Sequence, residues 1–267
     1  MKNDEVINSI LKTYRKKIWK KFLEAINKYH LIEEGDKIAV CISGGKDSFL
    51  MALCFKKLQK ISKYHFEVVN VVMDPGYKKE IVESIKKNAS LLDIDIHIFK
   101  SDIFKVSTML NQDKPCYMCA RMRRGFLYSR SQEMGCNKIA LGHHFDDVIE
   151  TVLLNIFYGG VFKTMMPKLK SKNFENMELI RPLYLVKEED IIRWKKYNDL
   201  EFINCACRMT EKLSDSSKRL EMKILIKNLR EKYENIDINI LRSTEEVNTE
   251  TILSYIEDDK IKSVLDK

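Results

Sequence analysis

The amino-acid sequence predicts an α/β protein built on an open parallel sheet with helices on both faces. Two observations carry this prediction. Short β-branched runs alternate with helical stretches from Lys37 to Phe157, and a pair of glycines directly follows the first of these runs. Such alternation is typical of parallel sheets, whose two faces are both covered by helices. The 267 residues are 45% hydrophobic and 32% charged, with nine Gly and four Pro, which excludes a disordered or collagen-like chain.

The predicted elements follow one another along the chain. Strands are predicted where short runs are apolar and β-branched, over Lys37–Ile42, Phe66–Met73, Asp95–Phe99 and Lys138–Leu141. Helices are predicted where apolar residues recur every three or four positions, over Lys46–Lys60, Glu80–Leu92, Arg121–Glu133 and Asp146–Phe157. After Tyr158 the pattern loosens into mainly helical segments, and the acidic residues of 243–267 predict a solvated helix face.

This pattern divides the chain into three parts: a basic N-terminal helix over 1–30, an α/β domain over 31–208 and a helical extension over 209–267. The N-terminal helix holds eight Lys or Arg and three Asp or Glu, a net +5 of the chain's formal +8. Its apolar residues recur at helical spacing, at Ile7, Leu11, Tyr14, Ile18, Phe22 and Ala25. Two interpretations stay open, a docked helix with a solvated basic face and a contact with RNA phosphates.

Composition also bears on the compartment and the partner. The sequence has no apolar run long enough to cross a membrane and no secretory leader, so we expect a cytoplasmic protein without a membrane partner. A net charge of +8 favours an acidic partner such as nucleic acid. Seven cysteines in a reducing compartment are better explained as metal ligands or catalytic thiols than as disulfides.

The strongest local signal is the hexapeptide SGGKDS at Ser43–Ser48, directly after the first predicted strand and at the start of a helix. Adjacent Gly44 and Gly45 let the backbone approach a ligand and turn several N–H groups toward it. Lys46 and the helix N-terminus add positive charge, as a phosphate site requires. The glycine spacings of the Walker A and dinucleotide motifs are missing. The hexapeptide instead resembles the loop of PP-loop ATP pyrophosphatases, which implies cleavage of ATP between its α and β phosphates and transfer of AMP to a substrate.

Two groups of cysteines predict a soft-metal site. Cys116 and Cys119 form a C-x-x-C, and Cys205 and Cys207 lie about ninety residues further on. Thiols in this number suit tetrahedral zinc or an iron–sulfur cluster, although a C-x-x-C can also be a redox dithiol and the thiols can be unrelated buried residues. The other three cysteines are expected to be small core residues: Cys41, Cys54 and Cys136.

A third group of polar residues, Gly142–Asp147 (GHHFDD), follows the last predicted strand of the sheet. The carboxyl edge of an open parallel sheet is where ligands bind, so this group should lie beside the phosphate loop. Asp146 or Asp147 is a candidate ligand for Mg²⁺ or a candidate acid–base group. The alternative is ordinary capping of the following helix by one of the two carboxylates.

Taken together, these segments resemble the tRNA 2-thiocytidine synthetase (TtcA-type) family of PP-loop ATP pyrophosphatases. Coverage runs from about residue 33 to residue 208. The matching blocks, in chain order, are SGGKDS (43–48), CYMCARMRRG (116–125), LGHHFDDVIETVLLNIFYGG (141–160), TMMPKL (164–169) and IRPL (180–183). The resemblance implies that the domain over 31–208 is a PP-loop ATPase domain with a cysteine-bound metal cluster.

The resemblance also implies an activity, ATP-dependent insertion of sulfur into a cytidine of the tRNA anticodon loop. It implies ATP, Mg²⁺ and a 4Fe–4S cluster with one open iron, carried over here to Cys116, Cys119 and Cys205. Relatives carry the distal cysteine in a C-x-x-C, whereas this chain has Cys205-Ala206-Cys207, so Cys207 competes for that role. The wider superfamily suggests Asp147 as the catalytic acidic group, beside Lys46. The implied nucleotide-binding residues are Ser43, Gly44, Gly45, Lys46, Asp47, Ser48 and Gly142.

Two other functions remain open at this stage. One is a PP-loop tRNA thiolase of another base that uses cysteine persulfide chemistry. The other is a non-catalytic, metal-dependent RNA-binding protein, against which the complete phosphate loop argues. The expected partners are tRNA and a sulfur donor, either a cysteine desulfurase or free sulfide, with a homodimer as one form of assembly.

Overall fold

The computed structural model describes residues 2–110, 115–203, 218–257 and 260–263. The chain forms two compact units. The first consists of Met1–Asp147 and Met166–Ser217, and the second of Val148–Met165 and Lys218–Lys267. The division into three parts at residues 30 and 208 stays a prediction.

A six-stranded sheet forms the centre of the first unit. Its strands, in chain order, are β1 (Lys37–Cys41), β2 (Glu67–Asp74), β3 (His97–Lys100), β4 (Lys138–Ala140), β5 (Lys168–Lys170) and β6 (Glu178–Ile180). They lie in the order β3-β2-β1-β4-β6-β5, and every neighbouring pair is parallel except the antiparallel β5–β6 pair. The predicted α/β fold is therefore confirmed, with an antiparallel strand added at one edge.

The strand order creates a switch point between β1 and β4. From β1 the chain proceeds outward through β2 and β3, then returns to place β4 on the other side of β1. At such a point the connections leave the carboxyl ends of neighbouring strands in opposite directions, which opens a crevice. The phosphate loop follows β1 and the Gly142–Asp147 segment follows β4, so both border this crevice.

Helices cover the sheet in the first unit. In chain order they are α1 (Lys2–Leu11), a π-helical turn (Arg15–Trp19), α2 (Lys20–Lys28), α3 (Lys46–Gln59), α4 (Lys79–Leu91), α5 (Ile103–Leu110), α6 (Pro115–Glu133), α7 (Phe145–Gly159), which continues into the second unit, and α8 (Glu188–Tyr197). α3 is apolar around most of its circumference and lies in the core. Its buried residues are Phe49, Leu50, Met51, Ala52, Leu53, Cys54, Phe55 and Leu58.

An ion-pair cluster lies at the opposite, amino edge of the sheet, where β1 and β4 begin. The side chain of Lys138 is 1% exposed, and its Nζ lies 2.7 Å from Asp36 and 3.5 Å from Glu178. Asn137 donates a hydrogen bond to the other oxygen of Asp36 at 2.7 Å. Lys138 also donates to the carbonyl of Leu31 at 3.2 Å, which ties the N-terminal helices to the sheet. We call these residues the amino-edge cluster.

The second unit contains helices and a hairpin. Its elements after α7 are α9 (Lys218–Lys232), α10 (Ile236–Glu245), a short 3₁₀ turn (Thr249–Thr251), β7 (Ser254–Glu257) and β8 (Lys260–Ser263). The first turn of α9 packs on α7, with Arg219 3.5 Å from Glu150 and the Lys218 ammonium 4.4 Å from the ring centroid of Tyr158. In the part of the chain that the structure describes, no helix is long and apolar enough to span a membrane.

Three local predictions differ from the structure. The N-terminal segment is not one helix, because it breaks after Leu11 and resumes as a π-helical turn. The buried apolar residues of α1 are Val6 and Ile10, and not Ile7 and Leu11. β5 (KLK) and β6 (ELI) were not predicted, because charged residues leave neither with an apolar run long enough to mark a strand. The prediction of a solvated helix face for 243–267 was wrong beyond residue 253, where the antiparallel β7–β8 hairpin forms.

Candidate active site

The phosphate loop connects β1 to α3 and is fixed by its two serines. The Ser48 hydroxyl accepts a hydrogen bond from the Ser43 N–H at 3.2 Å and donates one to the Gly45 carbonyl at 2.9 Å. The hydroxyl oxygens of Ser43 and Ser48 lie 3.3 Å apart. These bonds hold the loop on the first turn of α3, at the end of the helix where the dipole favours an anion.

Two glycines allow a close backbone approach at this loop. Gly44 has a φ of +91°, in the left-handed region, and a Cβ there would lie 2.9 Å from Ile85 and 3.0 Å from Ile203. A Cβ at Gly142 would lie 3.2 Å from the backbone nitrogen of Ser48. The segments after β1 and β4 therefore meet backbone to backbone across the switch point, and a side chain at Gly142 would push them apart. A side chain at Gly44 would instead displace Ile85 and Ile203.

Lys46 places a positive charge between two carboxylates. Its Nζ lies 3.2 Å from the Asp47 carboxylate and 3.2 Å from Oε1 of Glu188, the first residue of α8. The same Glu188 oxygen lies 4.0 Å from Nε2 of His144. The side chains of Lys46 and Glu188 are 22% and 16% exposed, so this group of charges is in contact with solvent. A phosphate can thus reach the ammonium group without unfolding the site.

The two aspartates at the start of α7 have different partners. Oδ2 of Asp147 accepts a hydrogen bond from the His144 N–H at 3.0 Å, and Nδ1 of His144 accepts one from the Asp147 N–H at 3.4 Å. This reciprocal arrangement is a capping box made by His and Asp. Asp146 is buried and accepts a hydrogen bond from the Glu188 N–H at 2.7 Å, so it caps α8. The capping interpretation thus holds for Asp147 on α7, whereas Asp146 binds the first N–H of α8. A catalytic role of Asp147 stays a prediction.

The segment just before the distal cysteines is anchored on the phosphate loop. The Ile203 N–H donates to the Gly44 carbonyl at 3.2 Å. Asn88 in α4 donates to the Glu201 carbonyl at 2.9 Å, and the Phe202 ring stacks on Phe49 of α3 with centroids 5.3 Å apart. Three independent contacts therefore hold residues 201–203 beside the loop. Cys205 and Cys207 themselves lie outside the described residues.

A cavity of about 250 Å³ lies between α6 and the sheet. Its apolar floor comes from β4, β6 and α6, and its polar rim comes from two arginines and a histidine. The lining residues are Arg123, Arg124, Leu127, Tyr128, Ile139, Leu141, His143 and Leu179. Because His143 directly follows Gly142, this cavity opens beside the phosphate loop.

The cysteines divide into two environments. Cys41, Cys54 and Cys136 are buried in the core, as predicted, and burial raises the pKa of all three thiols, that of Cys41 to about 12. Cys119 is half-buried on α6, one helical turn before Arg123. The backbone of Cys116 belongs to α6, and its side chain lies outside the described residues. Among the described residues, no group of three or more His, Cys, Asp or Glu side chains forms a metal site.

The N-terminal helices present a basic surface. Lys12, Arg15, Lys16, Lys17 and Lys20 are exposed. Among them, Lys17 pairs with the buried Asp190 of α8 at 3.1 Å, which fixes the surface on the first unit. The opposite face of α2 packs into the core through Phe22 and Ala25. The interpretation as a docked helix with an exposed basic face is therefore confirmed, while a contact with RNA phosphates stays a prediction.

Sequence reasoning missed three residues that shape the site. Glu188 is an ion-pair partner of Lys46, and no motif marks it. Ile203 contacts Gly44 from a segment 159 positions further along the chain, a distance that no local pattern reveals. Arg181 lies in the IRPL block, which the sequence resemblance contained without assigning it a role. A sequence signal for Arg181 was therefore present, whereas the roles of Glu188 and Ile203 become visible only in the folded structure.

The arrangement suits a nucleoside triphosphate. A glycine loop, a helix N-terminus and a lysine converge at the switch point, and Mg²⁺ is commonly held by one or two carboxylates together with substrate phosphates. The carboxylates of Asp47, Asp147 and Glu188 are oxygen ligands of that kind beside the loop.

Comparisons with known proteins agree with this geometry. The profile of the PP-loop domain family matches residues 14–214. A tRNA-cytidine(32) 2-sulfurtransferase from Delftia acidovorans is 41% identical over 195 residues, which cover 71% of this chain and 61% of the relative. The protein of that name from Aeromonas salmonicida is 42% identical over 187 residues, 68% of this chain and 61% of the relative. The chain thus spans less than two thirds of the length of these relatives.

A solved structure shows the same fold. The U34-tRNA thiolase NcsA from Methanococcus maripaludis, a protein with a [4Fe–4S] cluster, superimposes with a TM-score of 0.66 at 23% sequence identity. The superposition covers 85% of this chain and 76% of that chain. The family match, the curated relatives and the fold lead to one assignment: this chain belongs to the PP-loop domain family, and its relatives include the tRNA-cytidine 2-sulfurtransferases whose motifs its sequence shares.

Proposed function

We propose that this protein catalyses ATP-dependent thiolation of a cytidine in the anticodon loop of tRNA. The observation that carries the proposal is the bond between Ile203 and Gly44, because it anchors the chain two residues before Cys205 on the phosphate loop. Two residues of chain reach about 7 Å at most. This connectivity supports a site at which ATP chemistry and a thiol ligand act together. The curated 2-sulfurtransferase relatives support the choice of tRNA and of cytidine.

The reaction explains why such a site needs ATP. The carbonyl oxygen of cytosine is a poor leaving group. When that oxygen attacks the α-phosphorus of ATP, the bond to the β-phosphate breaks and pyrophosphate leaves. A sulfide equivalent then adds to the ring carbon, and AMP departs with the former carbonyl oxygen. The products are the thiolated base, AMP and pyrophosphate.

The residues at the switch point supply the electrostatic part of this reaction. Negative charge builds on the phosphates as pyrophosphate leaves, and the N-terminus of α3 and Lys46 stabilise that charge. Lys46 is held in place by Asp47 and Glu188 at 3.2 Å each. One or two of the carboxylates of Asp47, Asp147 and Glu188 would hold Mg²⁺ against the phosphates.

Asp147 is our candidate for the catalytic acidic group. One of its oxygens is engaged by the His144 N–H, which orients the carboxylate at the start of α7. Its side chain is 21% exposed, so the carboxylate is accessible from the crevice. A group held in this way can accept a proton or contact the metal without changing its rotamer.

The cysteines supply the ligands of a 4Fe–4S cluster. We assign Cys116, Cys119 and Cys205 as the ligands, with Cys207 as the competitor for the distal position. The half-buried Cys119 on α6 fits this role, since thiolate ligands of a reactive cluster need access from the site. Held by these three thiolates, a cluster would supply an open iron position for the sulfur atom.

The partners follow from the same reaction. The exposed Lys12, Arg15, Lys16 and Lys20 would contact tRNA phosphates. The sulfur comes from a donor, either a cysteine desulfurase or free sulfide. A reaction that needs ATP and reduced thiols belongs in the cytoplasm.

The experiment combines iron content with thiolation. The protein is purified without oxygen, its iron and visible spectrum are measured, and thiolation of unmodified tRNA is assayed by mass analysis of the nucleosides. We expect iron in the wild type and a 2-thiocytidine product that requires ATP. Cys119→Ala should lose both iron and thiolation, whereas the matched control Cys136→Ala, at a buried core cysteine, should keep both.

Two outcomes would contradict parts of the proposal. An iron-free wild type that still thiolates tRNA would show that the sulfur is delivered by persulfide chemistry and not by a cluster. A wild type that binds iron and RNA but never consumes ATP would indicate a non-catalytic RNA-binding protein.

A further inference from the structure

We propose that Arg124 and Arg181 form a second phosphate-binding site, separate from the phosphate loop, that holds a backbone phosphate of the RNA beside the target base. The site lies at the cavity between α6 and the sheet, next to the switch point. This inference rests on the proposed function, because the RNA strand is its ligand. None of the roles assigned above uses either arginine.

Arg181 is fixed in place by the backbone around it. It directly follows β6, its N–H donates to the Pro167 carbonyl at 2.9 Å, and its guanidinium donates to the Met166 carbonyl. Its Nε is buried and has no hydrogen-bond partner among the described residues. A guanidinium has five N–H donors, so most of the hydrogen-bonding capacity of Arg181 is left for a ligand.

Arg181 lies two residues after Leu179, which lines the cavity, so both side chains project from the same face of the sheet. Arg124 lines the cavity, and Tyr128, one helical turn further along α6, is acted on by the charges of both Arg124 and Arg181. Burial and, more weakly, the charge of Arg124 lower the pKa of Arg181 to about 10. The Asp147 carboxylate raises the pKa of Arg181, but this is the weakest of the charge effects on that pKa, below those of Tyr184, Arg124 and Tyr128.

Neither guanidinium forms an ion pair with a carboxylate in the described part of the chain. Arg181 is half-buried and Arg124 is exposed. Holding the partly buried charge of Arg181 near that of Arg124 is unfavourable unless an anion compensates it. Arginine is also the side chain best matched to phosphate, since its planar fork donates two parallel hydrogen bonds. The pair therefore has the chemistry of a phosphate clamp.

The shape of the cavity favours an RNA phosphate over free pyrophosphate. Four aliphatic side chains and the Tyr128 ring form its walls, and such walls suit a base and not a small, fully charged anion. The aliphatic residues are Leu127, Ile139, Leu141 and Leu179. At about 250 Å³ the cavity is smaller than the usual range of about 300–1,000 Å³ for drug-sized ligands, which favours an occupant as small as a single base.

The position of the cavity also fits this assignment. His143 on its rim directly follows Gly142, which touches the first turn of α3. On the other side, Arg123 lies one helical turn after Cys119. A base in the cavity, with its phosphate on Arg124 and Arg181, would lie between the phosphate loop and the cysteine end of α6.

The test compares Arg124→Gln and Arg181→Gln with Arg130→Gln, a control on the exposed side of α6 whose guanidinium pairs with Glu133 at 2.6 Å. Binding of unmodified tRNA is measured at several salt concentrations in the presence of a non-hydrolysable ATP analogue. Each site variant should lower tRNA affinity roughly tenfold. Each should also flatten the slope of log affinity against log salt by about 0.7–0.9, the value of one phosphate contact. The control should change neither quantity, and the affinity for the ATP analogue should stay the same in all three variants.

Two further arms decide between sources of the anion and guard against misfolding. Inorganic pyrophosphate binding is measured by calorimetry for the same proteins. Loss of pyrophosphate binding with unchanged tRNA binding would overturn the RNA assignment. Arg181→Lys keeps the positive charge, so it should recover part of the tRNA affinity that Arg181→Gln loses.

The failure of this inference can be distinguished from the failure of the proposed function. If the wild type thiolates tRNA while both glutamine variants bind tRNA with wild-type affinity and salt slope, only the second phosphate site is wrong. If the wild type neither binds nor thiolates tRNA, the proposed function and the second phosphate site fail together.

Discussion

The two edges of the central sheet use the same types of side chain for different purposes. At the amino edge, Lys138 is 1% exposed and lies 2.7 Å from Asp36, which is itself 4% exposed. At the carboxyl edge, Lys46 is 22% exposed and lies 3.2 Å from each of two carboxylates. The first lysine is shielded from solvent and has one short contact, to Asp36, whereas the contacts of the second remain open to water.

This difference separates a structural charge from a functional one. A buried ion pair is costly to break, because the remaining charge stays in a poorly polarisable environment. A partly solvated pair can exchange its partner for a ligand at little cost. We therefore expect substitutions at the amino-edge cluster to act on stability and substitutions at Lys46 to act on catalysis.

The largest effect is expected for Lys138→Met. Methionine removes the ammonium group and leaves the Asp36 carboxylate buried and without its ion-pair partner. The free energy of unfolding should fall by about 3–5 kcal/mol, measured by urea denaturation. A loss below about 1 kcal/mol would show that the amino-edge cluster is not the rigid support inferred here.

Lys46→Met should give the opposite pattern. The free energy of unfolding should change by about 1 kcal/mol or less, since the ion pairs of Lys46 are partly solvated. The rate of tRNA-dependent pyrophosphate release should fall by about 10²–10³, the usual cost of removing one group that stabilises transition-state charge. A normal rate of pyrophosphate release in this variant would show that Lys46 does not act at the phosphate site.

The smallest effect concerns Glu33, at the outer side of the amino-edge cluster. A hydrogen bond from Lys168 lowers the pKa of Glu33 below its ordinary 4.5. Because the folded pKa is the lower one, the stabilisation is present above pH 4.5 and is lost as the pH falls through the folded value. The difference in stability between wild type and Glu33→Gln should be about 0.5 kcal/mol or less at pH 6, as Glu33 is largely exposed, and should vanish toward pH 3. A difference that grows at low pH would contradict this sign.

Local patterns in the sequence were sufficient for the phosphate loop and for most of the sheet. The predicted strand at Lys37–Ile42 and the predicted helix at Lys46–Lys60 each end within one residue of β1 and α3. The reason is physical, since a buried parallel strand and a helix that begins at a glycine pair both leave strong local signals. The membership of the PP-loop family could be inferred from the same residues.

Contacts between distant segments could not be inferred in this way. Glu188 reaches Lys46 across 142 positions, and Asp36 reaches Asn137 across 101. The π-helical turn at Arg15–Trp19 was also missed, because one extra residue per turn shifts an apolar stripe without removing it. These features arise from the assembled fold, and the residues that carry them have no motif of their own.

The central claim is that the carboxyl edge cleaves ATP between its α and β phosphates to activate a tRNA base. The most direct measurement is the ratio of nucleotide products to thiolated cytidine, obtained with labelled ATP, unmodified tRNA and a sulfide source under anaerobic conditions. We expect one AMP and one pyrophosphate for each sulfur inserted. Without tRNA, neither AMP nor pyrophosphate should form above background. Formation of ADP and phosphate, or thiolation without AMP, would contradict the central claim.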